Sequence, residues 1–201
     1  MPNNQERSRL YMSNKQLYEL CTELLSFISV IEDNIAIFEV YNELAPEIKK
    51  SPDYMMTYIE DSQLSIEQMI LIETMKIFDN AFTFGHTNKR NCSFHLLTIL
   101  IKEEAFKDYQ QYITRINTLC EKYEKIGLKT IRNKKLAHHD KATLDKMEIT
   151  IFQYSDITAL IAEGKAIIND ILFSFCRIEC PNSNKKEIYK KAIRSMINGS
   201  Y

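Results

Sequence analysis

The amino-acid sequence predicts an all-α fold, an antiparallel helical bundle formed by a single domain. Glycine and proline occur only four times each in 201 residues, and helix interiors exclude both. Between them, apolar residues recur at spacings of three and four, which is the period of one helix face. Residues 1–201 are expected to form one domain with a core over about 15–178, extended by additional N- and C-terminal helices.

The first helix is predicted over about residues 14–44. Its apolar seam consists of Leu17, Cys21, Leu24, Ile28, Ile31, Ile35 and Phe38. Two prolines then interrupt the pattern. A second helix is predicted over about 66–81, where Ser65 and Gln68 have the spacing of a capping box.

The middle of the chain predicts two further helices after the polar loop FTFGHTNKRN. Ser93 is expected to cap a short helix with the sequence FHLLTILIK. The next helix has an apolar face formed by Phe106, Tyr109, Ile113, Ile116, Cys120 and Tyr123. Gly127 is expected to mark the junction after it, because glycine commonly ends helices.

The stretch MEITIFQY is ambiguous, since its β-branched residues favour a strand and its neighbours favour a loop or a helix start. Ser155 or Asp156 is expected to cap the following helix. Its inward residues are predicted to be Ile157, Leu160, Ile161, Ile167, Ile168, Ile171, Leu172 and Phe175.

A basic amphipathic helix over about residues 183–198 ends the sequence. Its apolar residues Ile188, Ile193 and Met196 are expected to pack on the bundle. Its cations are expected to be solvated, with contact to RNA or an anionic membrane as the alternative. These cations are Lys185, Lys186, Lys190, Lys191 and Arg194.

Composition excludes several classes of protein. The net charge of −1 argues against a globally basic nucleic-acid binder, so affinity for anions must come from local clusters. No apolar run approaches the roughly 18–20 residues that span a bilayer. The first ten residues, MPNNQERSRL, lack the apolar core of a signal peptide. We therefore expect a cytoplasmic protein without a membrane partner.

No metal and no cofactor are expected. The five cysteines are odd in number and widely spread, unlike a disulfide framework. His86, Cys92 and His95 lack the fourth ligand and the tight spacing of a zinc site. Lys89 and Arg90, in the same loop, are expected to be exposed, with a secondary phosphate contact as a further possibility.

The stretch TIRNKKLAHHDKAT, residues 130–143, is the candidate site. It contains His138 and His139, half of the four histidines, and one acid, Asp140. The cations in and beside it are Lys129, Arg132, Lys134, Lys135 and Lys141. Histidine exchanges protons near pH ~6.5, and the arginine fork fits phosphate oxygens. These side chains suffice to cleave a phosphodiester without metal.

Helical spacing constrains how this site is assembled. Arg132 and His138 lie about 120° apart around a straight helix, so one compact site needs a bend or two copies facing each other. His139 shares the face of Arg132 more closely, and spacing alone does not choose between the histidines. The alternative interpretation is a solvated basic patch that complements the dipole near a helix C-terminus.

The motif RNKKLAHHD resembles the signature of the HEPN superfamily (higher eukaryotes and prokaryotes nucleotide-binding). That signature is arginine, a polar residue, a short spacer and histidine, within an all-α bundle. IRNKKLAHHDK is similar to the R-[ND]-K-x-x-A-H-x-D form in HEPN domains of abortive-infection phage-defence proteins, the U-two-like group. Upstream, MKIFDNAFTFGHTNKRNCSFHLLTIL resembles the same group, so the resemblance covers about residues 15–175 in helix order.

The resemblance implies catalytic roles for Arg132 and His138, with Asn133, His139 and Asp140 in support. Many HEPN proteins are metal-independent endoribonucleases whose site is shared across a homodimer. The implied reaction is attack of an RNA 2′-hydroxyl on the adjacent phosphate, in a toxin or phage-defence effector. The neighbouring lysines are expected to bind RNA; they are Lys129, Lys134, Lys135 and Lys141.

Three alternatives remain open at this point. The first is a non-catalytic HEPN module that binds RNA, a nucleotide or a partner protein. The second is the toxin of a pair in which a nucleotidyltransferase antitoxin modifies residues near the motif. The third is a purely structural helical bundle.

Overall fold

The structure is a computed structural model that describes residues 4–83, 89–103, 109–128, 154–176 and 186–197, except the side chains of residues 4–14 and 176. Within these ranges the helices are α1 (Asn4–Glu43), α2 (Ala45–Ile48), α3 (Asp53–Ile77), α4 (Phe94–Glu103), α5 (Tyr109–Ile126), α6 (Tyr154–Ile171) and α7 (Lys186–Ile197). A π-helical turn, Leu172–Cys176, continues α6. The described residues contain no strand, only an isolated bridge between Phe82 and Arg90. The predicted all-α fold is therefore confirmed.

The main core gathers apolar faces of α1, α3, α4, α5 and α6. Its centre is aromatic: the ring of Phe78 lies 4.4 Å from that of Tyr123 and 5.2 Å from that of Phe94, measured between centroids. The predicted seam of α1 faces this core, and five of its members have no exposed surface. They are Leu17, Cys21, Leu24, Ile28 and Ile31. Burial of such aliphatic and aromatic side chains is the main stabilising term of the bundle.

Two predicted helix starts are wrong. Helix α1 begins at Asn4, ten residues earlier than predicted, and α3 begins at Asp53 rather than near residue 66. Pro52 directly precedes α3, where its missing N–H costs no helical hydrogen bond. Ser65 therefore lies inside α3, and its hydroxyl donates to the carbonyl of Asp61 at 2.9 Å instead of capping a helix.

Among the remaining element predictions, the Ser93 cap and the inward face of α6 are confirmed, whereas Phe106 and residues 147–153 lie outside the described part of the chain. The amide of Leu96 donates to Ser93 Oγ at 3.3 Å, so Ser93 does cap α4. The predicted inward residues of α6 are buried, apart from the half-buried Phe175. Because α6 begins at Tyr154, Ser155 and Asp156 lie in its first turn rather than before it.

Helix α7 packs on a small second cluster, separate from the main core. This cluster consists of Val40, Tyr41, Leu44, Ile48, Ile59 and Ile193. The prediction for Ile188 is wrong, because its side chain is 66% exposed. Ile188 lies about 140° around the axis from Ile193, and the two cannot share one apolar face.

Three cations of α7 remain partly exposed, and they are also ion-paired, which the sequence did not predict. Lys186, Lys190 and Arg194 form ion pairs with glutamates of α1 and α2. Lys191 is exposed, and Lys185 lies outside the described residues.

No helix among the described residues is both long enough and apolar enough to cross a membrane.

Gly164 permits the close approach of α6 to α4. A Cβ atom added there would lie 2.8 Å from Cζ of Phe94, a ring without exposed surface. We expect Gly164→Ala to lower the free energy of unfolding by about 1 kcal/mol. Overpacking lowers the free energy of unfolding by about 1–3 kcal/mol. The higher helix propensity of alanine offsets about 1 kcal/mol of this loss. Urea unfolding followed by circular dichroism measures the change.

The control for this prediction is the same substitution in a Phe94→Leu background. Leucine removes the ring atoms that the new methyl group meets, so Gly164→Ala should there be neutral or stabilising. An equal cost in both backgrounds would contradict the steric explanation.

Candidate functional site

The predicted site residues lie outside the described part of the chain. This holds for Arg132, Asn133, His138, His139 and Asp140, and for the predicted RNA-binding lysines Lys129, Lys134, Lys135 and Lys141. Their roles therefore stay predictions. What the structure provides is the frame from which residues 129–153 depart and to which they return.

Helices α5 and α6 form this frame as an antiparallel pair. Arg115 donates to Asp170 at 2.7 Å, and Lys122 donates to Glu163 at 2.6 Å. From the first bond to the second, the residue number rises by seven on α5 and falls by seven on α6. The two bonds therefore agree on one antiparallel register. In an antiparallel pair, the C-terminal end of the first helix lies beside the N-terminal end of the second. Leu128 and Tyr154, the described residues on either side of the motif segment, therefore lie at the same end of the pair.

The end of α5, where the described chain stops before the motif, is held by buried groups. Tyr123, in the last turns of α5, stacks on Phe78 with an interplanar angle of 7°. Gly127 then takes a φ of 72°, a left-handed conformation that glycine adopts at little cost after a helix. Leu128, the next residue, is only 1% exposed. Together these contacts fix the position and direction of the chain just before the motif.

The point of return is held by Tyr154, the first residue of α6. Its ring stacks on Phe38 of α1 with the centroids 4.3 Å apart. Burial raises the pKa of Tyr154 above its ordinary value, and the charge and hydrogen bonding of Glu67 on α3 raise it further. The phenol thus stays protonated at neutral pH, and its ring ties the start of α6 to α1.

Sequence reasoning missed this anchor, because Tyr154 was assigned to the ambiguous stretch MEITIFQY. The signal was nevertheless present. Tyr154 precedes Ile157 and Ile161 by three and seven residues, so it continues the apolar stripe of α6 backward by one turn.

The cysteine of the loop before α4 is packed rather than reactive. Burial raises the pKa of the Cys92 thiol to about 12, with the nearby carboxylate of Glu23 adding to the shift. A neutral thiol is a poor nucleophile. Within the described ranges no three metal-binding side chains come together; His86 lies outside those ranges.

Arg90 is exposed and lines a shallow groove between α1 and α4. Glu19 and Glu23 line the same groove. Two carboxylates beside one guanidinium repel a phosphate at least as strongly as the guanidinium attracts it. The secondary phosphate contact considered for this loop is therefore not favoured.

Comparison with known protein families gives a match that covers most of the chain. The family model described as HEPN_AbiU2, AbiU2, matches residues 15–175. The matched range includes α5, α6 and the whole motif segment between them, and it ends before α7. No curated protein and no solved structure matches the chain.

The anchor at Tyr154 gives a prediction about alkaline pH. Because the pKa of Tyr154 in the folded protein is raised above the reference value of 10.0, its contribution to stability is complete below pH ~10 and is lost as the pH rises further. We expect Tyr154→Phe to cost about 1–2 kcal/mol at pH 7. The stability difference from the unchanged protein should narrow above pH ~10.

Urea unfolding of both proteins at several pH values between 6 and 11 measures this difference. Tyr54→Phe is the matched control, because Tyr54 is 73% exposed and its hydroxyl should contribute less than about 0.5 kcal/mol. A cost for Tyr154→Phe that stays constant up to pH 11 would refute the linkage.

Proposed function

This chain belongs to the AbiU2 family of HEPN-type domains, which is associated with abortive-infection proteins, and on that basis we propose that it is a metal-independent endoribonuclease. It acts as a toxin or phage-defence effector, its substrate is RNA, and two copies share one site. The observation that carries the proposal is the motif RNKKLAHHD, with Arg132 and His138, inside the family match.

The residue types of the motif account for the reaction. His138 of one copy takes the proton of an RNA 2′-hydroxyl, and the 2′-oxygen bonds to the adjacent phosphorus. The bond from phosphorus to the 5′-oxygen breaks, and protonated His138 of the partner subunit supplies a proton to that oxygen. The products are a cyclic phosphate and a 5′-hydroxyl. Arg132 stabilises the charge that builds on the phosphate oxygens.

The described frame supports this proposal without containing the site. A nuclease needs its proton-transfer groups held to within fractions of an ångström. The motif segment is tethered on both sides by packed residues, Leu128 before it and Tyr154 after it. The family match covers both anchors as well as the motif, as expected if frame and motif act together.

The motif segment is also where positive charge concentrates in the sequence. Residues 129–141 carry five cations and one acid in a chain of net charge −1. The other basic cluster, on α7, is neutralised by glutamates over Lys186, Lys190 and Arg194. The motif is thus the better candidate for binding a phosphate backbone.

Substitution of the motif residues tests the chemistry. We expect the full-length protein to cut single-stranded RNA in EDTA and to spare DNA of matched sequence, which lacks the 2′-hydroxyl. His138→Ala should reduce the rate by about 10²–10⁴ and Arg132→Ala by about 10²–10³. His139→Ala should have a much smaller effect. Cleavage of end-labelled RNA, resolved on a denaturing gel, measures the rates.

Lys191→Ala is the matched control, because it removes an exposed cation without touching the motif. Unchanged cleavage in His138→Ala would refute the assignment, and a need for added Mg²⁺ would refute the mechanism. Salt-dependent RNA binding without products would instead identify the non-catalytic module.

Mixed dimers test whether two copies share the site. Coexpression of unchanged and His138→Ala chains at known ratios should lower activity more steeply than simple dilution, because every mixed dimer loses a histidine that both halves need. With half of the chains inactive, about one quarter of the dimers keep both histidines. A fall in proportion to the unchanged fraction would show that each chain acts alone.

A further inference from the structure

The three ion-paired residues of α7 match three glutamates at a constant offset. Lys186 donates to Glu39, Lys190 to Glu43 and Arg194 to Glu47, each pair being 147 residues apart in sequence. The distances are 2.7, 2.7 and 3.1 Å. Because residues four apart lie on one face of a helix, α7 runs parallel to the end of α1 and reaches α2. We refer to Glu39, Glu43 and Glu47 as the acidic row.

An apolar floor accompanies the acidic row. Ile193 of α7 is 6% exposed and packs into the small second cluster. On the bundle side this cluster is formed by Val40, Tyr41, Leu44, Ile48 and Ile59. Tyr189 and Ile197 pack against it from α7. A row of carboxylates beside an apolar floor is the recognition surface for a basic amphipathic helix.

The attachment of α7 is shallow. The side chains in its ion pairs retain 27–49% of their exposure, and ion pairs exposed to this degree contribute little to stability. Ile193 is the only residue of α7 that is buried. Helix α7 also lies beyond residues 15–175, the range that matches the family. It is thus an appended helix on a surface that the family region provides.

We propose that the acidic row and its apolar floor form a docking surface for basic amphipathic helices, occupied in cis by α7 and open in trans to a helix of a partner protein. The partner helix carries cations at positions i, i+4 and i+8 and a large aliphatic residue at i+7, as α7 does. Such a partner competes with α7, and its apparent affinity falls with the fraction of time that α7 is docked.

The charge of this surface favours a basic protein helix over a nucleic acid as its partner. The surface under α7 presents three carboxylates in register, which repel a phosphate backbone and attract cations. The lysines hold the pKa of Glu43 down to about 2, and the two glutamates hold the pKa of Lys186 up to about 12. Glu43 and Lys186 are therefore both charged at neutral pH, and salt weakens the docking by screening these charges.

A labelled peptide with the sequence of residues 184–199 tests the proposal on the full-length protein. In the vacated variant, Lys186→Glu, Lys190→Glu and Arg194→Glu together repel α7 from the acidic row. Fluorescence anisotropy should show this variant binding one peptide per chain, at least about tenfold more tightly than the unchanged protein. Affinity should fall steeply as NaCl rises from 0.05 to 0.5 M.

Charge reversal of the surface is the matched control. Glu39→Lys, Glu43→Lys and Glu47→Lys together should abolish binding of the natural peptide and create binding of a peptide with its three cations changed to glutamate. Ile193→Asp supplies a second way of releasing α7 that leaves every ion-pairing residue unchanged, and it should also raise peptide affinity. Circular dichroism confirms that each variant is folded.

Equal affinity of the peptide for the unchanged and vacated proteins would overturn the proposal, because α7 would then not compete for the surface. Natural peptide binding that survives reversal of the acidic row would likewise overturn it. Since none of these variants alters residues 129–153 and the readout is peptide binding, the result does not depend on ribonuclease activity.

Discussion

The contact between α6 and α4 at Gly164 limits how closely these two helices pack. Only a residue without a side chain leaves room for the ring of Phe94 at that point. Phe94 is in turn packed against Phe78, which stacks on Tyr123 of α5. One aromatic group therefore sets the positions of α3, α4, α5 and α6 together. Any change in it is expected to propagate to the ends of α5 and α6.

Those ends are what the proposed chemistry needs. The segment with the motif is 25 residues long by the described boundaries, from 129 to 153. Its two tethers lie at one end of an antiparallel pair whose register is fixed by Arg115 and Lys122. The proposed chemistry therefore depends on how Leu128 and Tyr154, the described residues on either side of the segment, are held. The stability of the core and the proposed activity are thus linked through the same two helices.

The sequence predicted which residues are buried better than it predicted where the helices begin. The seams of α1, α5 and α6 follow from the helical period, because an apolar residue in the wrong phase would face water. The start of α1 has no such signal, since residues 4–9 are all polar. Ser65 has the spacing of a capping box, but a serine in a helix can also bond to the carbonyl four residues back, as it does to Asp61. The residue types of the motif were recognisable from their order alone, whereas the anchor Tyr154 depends on a contact with Phe38 that is distant in sequence.

The two basic clusters also differ in a way that the sequence does not show, because composition does not tell which cations are neutralised by the fold. Helix α7 has the basic composition of a helix that binds nucleic acid, yet its Lys186 forms ion pairs with two glutamates of α1. The two neighbouring residues Phe38 and Glu39 hold the start of α6 and the start of α7, respectively. One turn of α1 therefore carries a ring contact to the start of α6 and an ion pair to the start of α7. Only the fold, which brings these distant segments together, decides that the cations of α7 are neutralised and leaves the motif as the basic cluster proposed to bind RNA.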